Sequence, residues 1–537
     1  MPQQMVTPGP HSGESHAGTG GDHGLRSATG LLDSGSAIVV ALAFTKLLVH
    51  LATAGVCGLF VDELYFLACG EHLAWGYVDM PPLTALQAWL ARTLFGDSLL
   101  AIRLLLALAG ALLVLLTGSL ARQLGGRRFA QGLAALAVLV APGYLGVDSY
   151  LSMNSIEPLL WMGCVLVVIR IIKSGNVRLW IWFGVLAGLG LENKQTMLMF
   201  AFALITGLLL TTERRHVTNR WFLFGGVVAF LIFLPNLLWM VDHHFPHLEL
   251  LANIRRSQRN VALSPPQFVG QQILAMHPLA SPIWLCGLWS LLIGRDGRRY
   301  RALGWAYLLA LGALLLTAGR FYYLLPAYPM LFAAGAVAIE GWCDRPGWGW
   351  ARPAYATLLA VTGILFAPLA MPVLPPATQV RYTKFIGLSQ PQLEHRQSSA
   401  LPQFFADRFG WPEMVTTVAK VYNGLPPEER ARTAIHANDY GEAGAIDFYG
   451  PALGLPKAIS GHLTYWYWGP RAYTGDSVIV LGAHQRERLE RYFSSVEAVA
   501  SVGHPYAMAD QHFWVYLCRG LKGKTLQEIW PELKNWD

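Results

Sequence analysis

The sequence predicts a polytopic α-helical membrane protein of about eleven spans, carrying a compact α/β domain at its C-terminal end. Three observations lead there. The 537 residues are 54% hydrophobic and only 14% charged, whereas a soluble chain carries nearer a quarter charged residues; contact with lipid accounts for the deficit. Apolar stretches close to the roughly 20 residues that a spanning helix needs recur up to about residue 375. After Pro375 and Pro376 the composition changes, and residues 378–537 hold many charges and no such stretch.

Residues 1–35 are rich in Gly, Ser, Thr and His and lack the apolar content to bury a core, so a disordered cytoplasmic tail is expected there. No short apolar region precedes a small-residue cleavage site, so the tail does not read as a cleaved signal. His11, His16 and His23 are scattered through it, a pattern that usually binds nothing. Spans are expected near 36–59, 99–121, 129–147, 156–172, 179–191, 196–212, 221–241, 273–293, 302–318, 322–341 and 354–374. The six cysteines (Cys57, Cys69, Cys164, Cys286, Cys343 and Cys518) form no CxxC pair and read as small buried hydrophobes.

The formal net charge of +7 would suggest nucleic acid in a soluble protein. Here the basic residues fall mostly between apolar runs, as orientation signals do. With the N-terminus inside, the inside connections hold Arg122, Arg127 and Arg128, then Arg170, Lys173 and Arg178, then Arg214, Arg215 and Arg220, then Arg295, Arg298, Arg299 and Arg301, then Arg345 and Arg352. The outside set is thinner: Arg92, Arg103, Lys194, Arg255, Arg256, Arg259 and Arg320. This asymmetry puts a first loop, 60–98, and the C-terminal domain, 378–537, outside the cytoplasm. Within that domain, helical patterns near 411–423 and 484–492 alternate with β-like runs at 433–437, 477–481, 495–501 and 512–518.

The ionisable residues at the outer span ends carry the functional signal. A wet helix end explains any one of them, but the whole set is harder to explain that way. Asp62-Glu63 follows the first span, and adjacent carboxylates on a helix point about 100° apart, so one can face a reacting atom while the other holds a partner. Asp79 precedes Pro81 and Pro82, and Glu157 precedes Pro158. For Asp62, Asp79 and Glu157 alike the simpler reading is helix capping. Lys194, in Glu192-Asn193-Lys194-Gln195, is an isolated outside cation, with pairing to Glu192 as the simpler reading for that glutamate. Arg320-Phe321-Tyr322-Tyr323 is a second such site. A lysine, an arginine and two tyrosine hydroxyls on one cavity suit a phosphate oxyanion.

At these residues the chain resembles the protein O-mannosyltransferase superfamily, which includes the bacterial aminoarabinose transferases of lipid A. The resemblance rests on Asp62-Glu63, His72–Pro82, Met153–Trp161, Glu192-Asn193-Lys194, Pro235-Asn236-Leu237-Leu238-Trp239, His247–Leu251 and Arg320–Pro326, and covers about 36–375. Their joint order is specific; each motif alone is not. The resemblance implies a GT-C fold, with 36–375 as the glycosyltransferase domain. It implies hexosyl or pentosyl transfer from a polyprenyl-phosphate sugar to an extracytoplasmic glycan, lipid or protein. It gives Asp62 the role of catalytic base or acceptor-orienting acid, with Glu63 and Glu157 as the other catalytic acids. Lys194 matches the family's donor-phosphate contact, and Tyr322 or Tyr323 a substrate-binding tyrosine; Asp79 and Arg320 complete the binding set. The aminoarabinose transferases read Glu-Lys-Pro where this chain reads Asp79-Met80-Pro81, so that group's donor, acceptor and metal arrangement is not carried over. His72, His243, His244 and His247 offer ligands for a divalent metal ion, against the simpler reading of interfacial histidines.

The expected partners are a lipid-linked sugar and membrane lipids, with no nucleic acid. The expected location is the plasma (inner) membrane with a cytoplasmic N-terminus. The alternative function is a membrane transporter or lipid flippase, which also buries charge but tends to place it on broken helices near the bilayer midplane.

Overall fold

The computed structural model describes residues 34–295, 297–387, 394–395, 399–482 and 486–536. The tail expected over 1–35, with its three histidines, lies outside these residues apart from Ser34 and Gly35, which begin the first helix, Ser34–Thr53. Among the described residues six helices are long and apolar enough to cross a membrane: Gly35–Thr53, Leu99–Gln123, Met153–Ser174, Arg220–Asp242, Phe321–Cys343 and Ala351–Ala370. A seventh forms if the pair Pro265–Ala275 and Pro278–Leu292, bent by 94°, is one span. Arg128–Val140 and Thr196–Leu209 are shorter apolar helices.

Several expected spans are shorter or broken, and proline explains two breaks. The 129–147 segment splits into Arg128–Val140 and Pro142–Val147 because Ala141, ahead of Pro142, is forced extended with ψ 119°. In the 273–293 segment His277, ahead of Pro278, takes φ 74° and ψ 121° and starts the bend. The first helix stops at Thr53, short of the expected 59. Phe321–Ala327 is a 3₁₀ turn leading into Tyr328–Cys343.

The membrane helices share one apolar core running from Val39 to Leu359. Small residues let neighbouring backbones touch. A methyl group added at Gly335 would sit 1.7 Å from the carbonyl oxygen of Ile283, and one at Gly184 would sit 2.1 Å from that of Gly225.

The C-terminal unit holds a four-stranded sheet of β1 (Thr433–His436), β2 (Ser477–Val480), β3 (Phe493–Val502) and β4 (Phe513–Leu521), in the order β1-β2-β4-β3. β1 and β2 run parallel; β2–β4 and β4–β3 run antiparallel. These are the four β-like runs of the sequence, and the helices Trp411–Asn423 and Arg486–Tyr492 match the two helical patterns. The unit is continuous with the first loop: Leu64, Tyr65 and Phe66 share an apolar cluster with Trp411, Val415 and Ile446. The helix Tyr440–Tyr449 lies directly on Val61–Glu71, and a methyl at Gly444 would reach within 2.7 Å of the Leu64 backbone. This seam brings the candidate site together.

Candidate functional site

A cavity of about 700 Å³ opens where the first loop, neighbouring ends of the apolar helices and the C-terminal unit meet. Its wall includes Asp62, Asp79, Lys194, Arg320, Tyr322 and Tyr323, all singled out from sequence, together with Arg259, Glu394 and Tyr440. Another stretch of wall is apolar, with Leu274, Leu325, Phe366 and Leu369.

The position of Asp62 is set by its neighbour Glu63. Glu63 is fully buried and does not line the cavity. Its carboxylate accepts Nη2 of Arg103 at 2.6 Å and Nε at 3.0 Å, and the backbone N–H groups of Phe60 and Leu151 at 2.8 Å each. Arg103 also donates to the carbonyls of Ala54 at 2.5 Å, Cys57 at 3.2 Å and Gly58 at 2.8 Å. One ion pair therefore ties together the turn after the first span, the helix that carries Asp62, and the chain at 151. Burial alone would raise the Glu63 carboxyl, but the Arg103 charge more than reverses this and holds it below the usual range. Glu63, expected among the catalytic acids, is itself absent from the cavity wall, and it touches that wall through the backbone N–H of Phe60.

Helix capping accounts for none of the three remaining carboxylates. Phe60 is the N-cap ahead of Asp62, Pro82 is the N-cap of the helix after Asp79, and Ser152 caps the helix that holds Glu157. The Oδ1 of Asp62 instead accepts the Tyr440 hydroxyl at 2.8 Å, and Oδ1 of Asp79 accepts the Tyr65 hydroxyl at 2.7 Å. Both side chains keep a face open to the cavity. Burial pushes the Asp62 carboxyl up; Tyr440, Arg259 and Arg320 pull it down, and Glu394 pushes it up further. Burial also pushes Asp79 up, to about 6, with Tyr65 opposing and the charge of Asp62 adding. Two carboxyls in one cavity thus compete to stay neutral.

The same cavity carries three cations, Lys194, Arg259 and Arg320. Lys194 donates to Asn154 Oδ1 at 2.8 Å and to Glu157 Oε2 at 3.0 Å, and its ammonium lies 4.3 Å from the centre of the Tyr323 ring. Arg320 donates to the Tyr322 hydroxyl at 3.1 Å, to Asn260 Oδ1 at 2.5 Å and to Glu394 Oε1 at 3.0 Å. Arg259 reaches the other oxygen of Glu394 at 3.3 Å. Two guanidinium groups thus share one carboxylate. Glu157 sits behind Lys194, outside the cavity wall, and also accepts from the Thr196 hydroxyl. It buttresses the lysine rather than facing a ligand. The pairing expected between Lys194 and Glu192 does not form; both Glu192 oxygens are buried without a hydrogen-bond partner among the described residues.

Of the candidate metal ligands, His247 alone lines the cavity. The His72 ring stacks on Trp468 at 4.3 Å and the His243 ring on Trp239 at 4.1 Å. Among the described residues no three His, Cys, Asp or Glu side chains converge in a way that suits a metal ion.

Sequence reasoning missed three wall groups. Arg259 carried a signal, since it stands on the outer side against the charge trend. Tyr440 and Glu394 carried none, because only the fold brings them 378 and 74 residues along the chain to Asp62 and Arg320.

The family model described as dolichyl-phosphate-mannose-protein mannosyltransferase matches residues 79–239, which include Asp79, Glu157 and Lys194. None of the curated proteins matches the chain. Among solved structures the chain is similar to ArnT from Cupriavidus metallidurans in the apo state, with 16% identity, 90% of this chain and 98% of that chain covered, and a TM-score of 0.58. It is also similar to the same protein bound to undecaprenyl phosphate, with 14% identity, coverage of 91% and 98%, and a TM-score of 0.55. The chain has the GT-C fold of the membrane glycosyltransferases.

The Glu63–Arg103 pair gives a stability test. Arg103→Met leaves an uncompensated buried carboxylate and costs about 3–5 kcal/mol, read as a large fall in the thermal unfolding midpoint. Glu63→Gln loses stability and turnover together; an inactive variant of full stability would return Glu63 to the chemistry.

Proposed function

We propose that this protein is a membrane glycosyltransferase that moves a sugar from a polyprenyl-phosphate carrier to an acceptor outside the cytoplasm. The observation that carries this reading is the single cavity in which Asp62 and Asp79 face Lys194, Arg259 and Arg320, with apolar residues lining the way between them and the membrane helices. A lipid-phosphate sugar has the same three parts: an apolar chain, an anionic phosphate and a polar sugar. In this reading Lys194 and Arg320 hold the phosphate oxygens, with Tyr322 and Tyr323 beside them. The bond from the anomeric carbon to the phosphate oxygen breaks, and the phosphate leaves with the electron pair. The acceptor oxygen bonds to the same carbon, and its proton passes to Asp62. The phosphate is already a competent leaving group, so the protein mainly holds charge, excludes water and takes one proton.

The wider reading includes eleven crossings, with the shorter apolar helices as tilted or partial spans, and the C-terminal unit on the outer side. It is supported by the distribution of Arg and Lys. The 94° break at Pro265–Leu292 is the feature a lipid-moving transporter would use. That segment contains no Asp, Glu, Lys or Arg, while the charged groups of the cavity, Asp62, Asp79, Lys194, Arg259, Arg320 and Glu394, lie on loops and helix ends, which favours an enzyme at the membrane surface.

Three outcomes are expected. Asp62→Asn lowers release of polyprenyl phosphate in liposomes by about 10²–10⁴-fold while donor affinity stays nearly unchanged; near-normal transfer would hand the base role to Asp79. Lys194→Met weakens donor binding by about 1.5–3 kcal/mol in a variant that still folds, and unchanged affinity would remove the phosphate assignment. A reporter that is active only in the cytoplasm stays silent when fused after Pro376, and its activity there would reverse the topology.

A further inference from the structure

We propose that the C-terminal unit completes the catalytic centre, with Tyr440 as the positioning residue that holds Asp62 as the base. This deepens the glycosyltransferase reading and rests on it.

The geometry is fixed from several directions. Tyr440 is the first residue of the helix Tyr440–Tyr449, whose N-cap, Asp439, accepts the Glu442 backbone N–H at 2.9 Å. The Tyr440 backbone N–H is held by Nδ1 of His462 at 3.2 Å. Its ring stands 5.0 Å from the ring of Tyr65 on one side and 5.0 Å from that of His462 on another. Gly441 lets this helix close on the Asp62 helix, since a methyl there would meet a Val61 methyl at 2.4 Å. With backbone and ring both held, the hydroxyl donates to Oδ1 of Asp62 at 2.8 Å. That donation fixes the carboxylate's rotation and leaves Oδ2 to take the proton of an acceptor hydroxyl.

The same unit reaches the second carboxylate indirectly. The Thr464 hydroxyl lies 2.6 Å from the Tyr65 hydroxyl and accepts the Val78 N–H at 3.1 Å, and Tyr65 in turn donates to Asp79. Both cavity carboxylates are therefore held by phenols that the C-terminal unit sets in place.

The charged and titratable groups around Asp62 are Tyr440, Arg259, Arg320, Glu394, Asp79 and Tyr150. Burial favours its neutral acid form, and the Tyr440 hydrogen bond favours the carboxylate. Removing the hydroxyl makes Asp62 harder to ionise, so the acid limb of the activity profile moves to higher pH.

The test is the pH profile of polyprenyl phosphate release by Tyr440→Phe in liposomes, beside Asp62→Asn. One charge-assisted hydrogen bond corresponds to about tenfold or more. Turnover at the acid side of the profile should fall by at least about tenfold and recover in part as pH rises, with the donor KM and the thermal midpoint near those of the unaltered protein. Replacing Tyr440 by 3-fluorotyrosine keeps the shape and strengthens the donor, so the limb should move the opposite way; this variant decides the matter if Tyr440→Phe does not fold. An acid limb that stays in place in these variants, or a loss uniform across pH, overturns the inference while Asp62→Asn remains inactive and the glycosyltransferase reading stands. Full transfer by Asp62→Asn overturns the base assignment and this inference with it.

Discussion

The candidate site depends on a buried ion pair that does not itself line the cavity. Glu63 and Arg103 meet within 2.6 Å, with three backbone carbonyls and two backbone N–H groups satisfied around them. Charges buried this deeply are costly unless every lone pair and proton has a partner, and here nearly all of them do. The pair converts a loose turn after the first membrane helix into a fixed platform. Asp62, one residue earlier on the same helix, then has a defined direction relative to the cavity.

Around that platform the cavity wall brings together two carboxyls, Asp62 and Asp79, that burial pushes toward their neutral forms, and three cations, Lys194, Arg259 and Arg320. Glu157 holds the Lys194 ammonium from outside the wall, and Asn154 holds it from within the wall.

Much of this was legible in the sequence because the informative residues break a local rule. Lys194 and Arg320 are cations in connections whose position in the charge pattern makes them exceptions, and Asp62 and Asp79 are carboxylates beside apolar runs. The order of elements was legible too, down to the four strands. Two kinds of information were not. Neighbouring carboxylates such as Asp62 and Glu63 are alike in sequence, and only packing against Arg103 shows which is buried and which faces the cavity. Tyr440 opens a short, largely buried helix, and nothing local marks a tyrosine whose partner lies 378 residues away. Proline breaks at 142 and 278 also shortened helices that hydropathy alone had run together.

That separation bears on how the protein is made. Closing a loop of several hundred residues is entropically slow, and it waits on the whole intervening chain. During synthesis the first helices are in place long before Tyr440 leaves the ribosome, so Asp62 spends that interval without its hydroxyl partner and beside an unfinished cavity wall. The contact between Asp62 and Tyr440 therefore forms late, when the helix Tyr440–Tyr449 settles on Val61–Glu71.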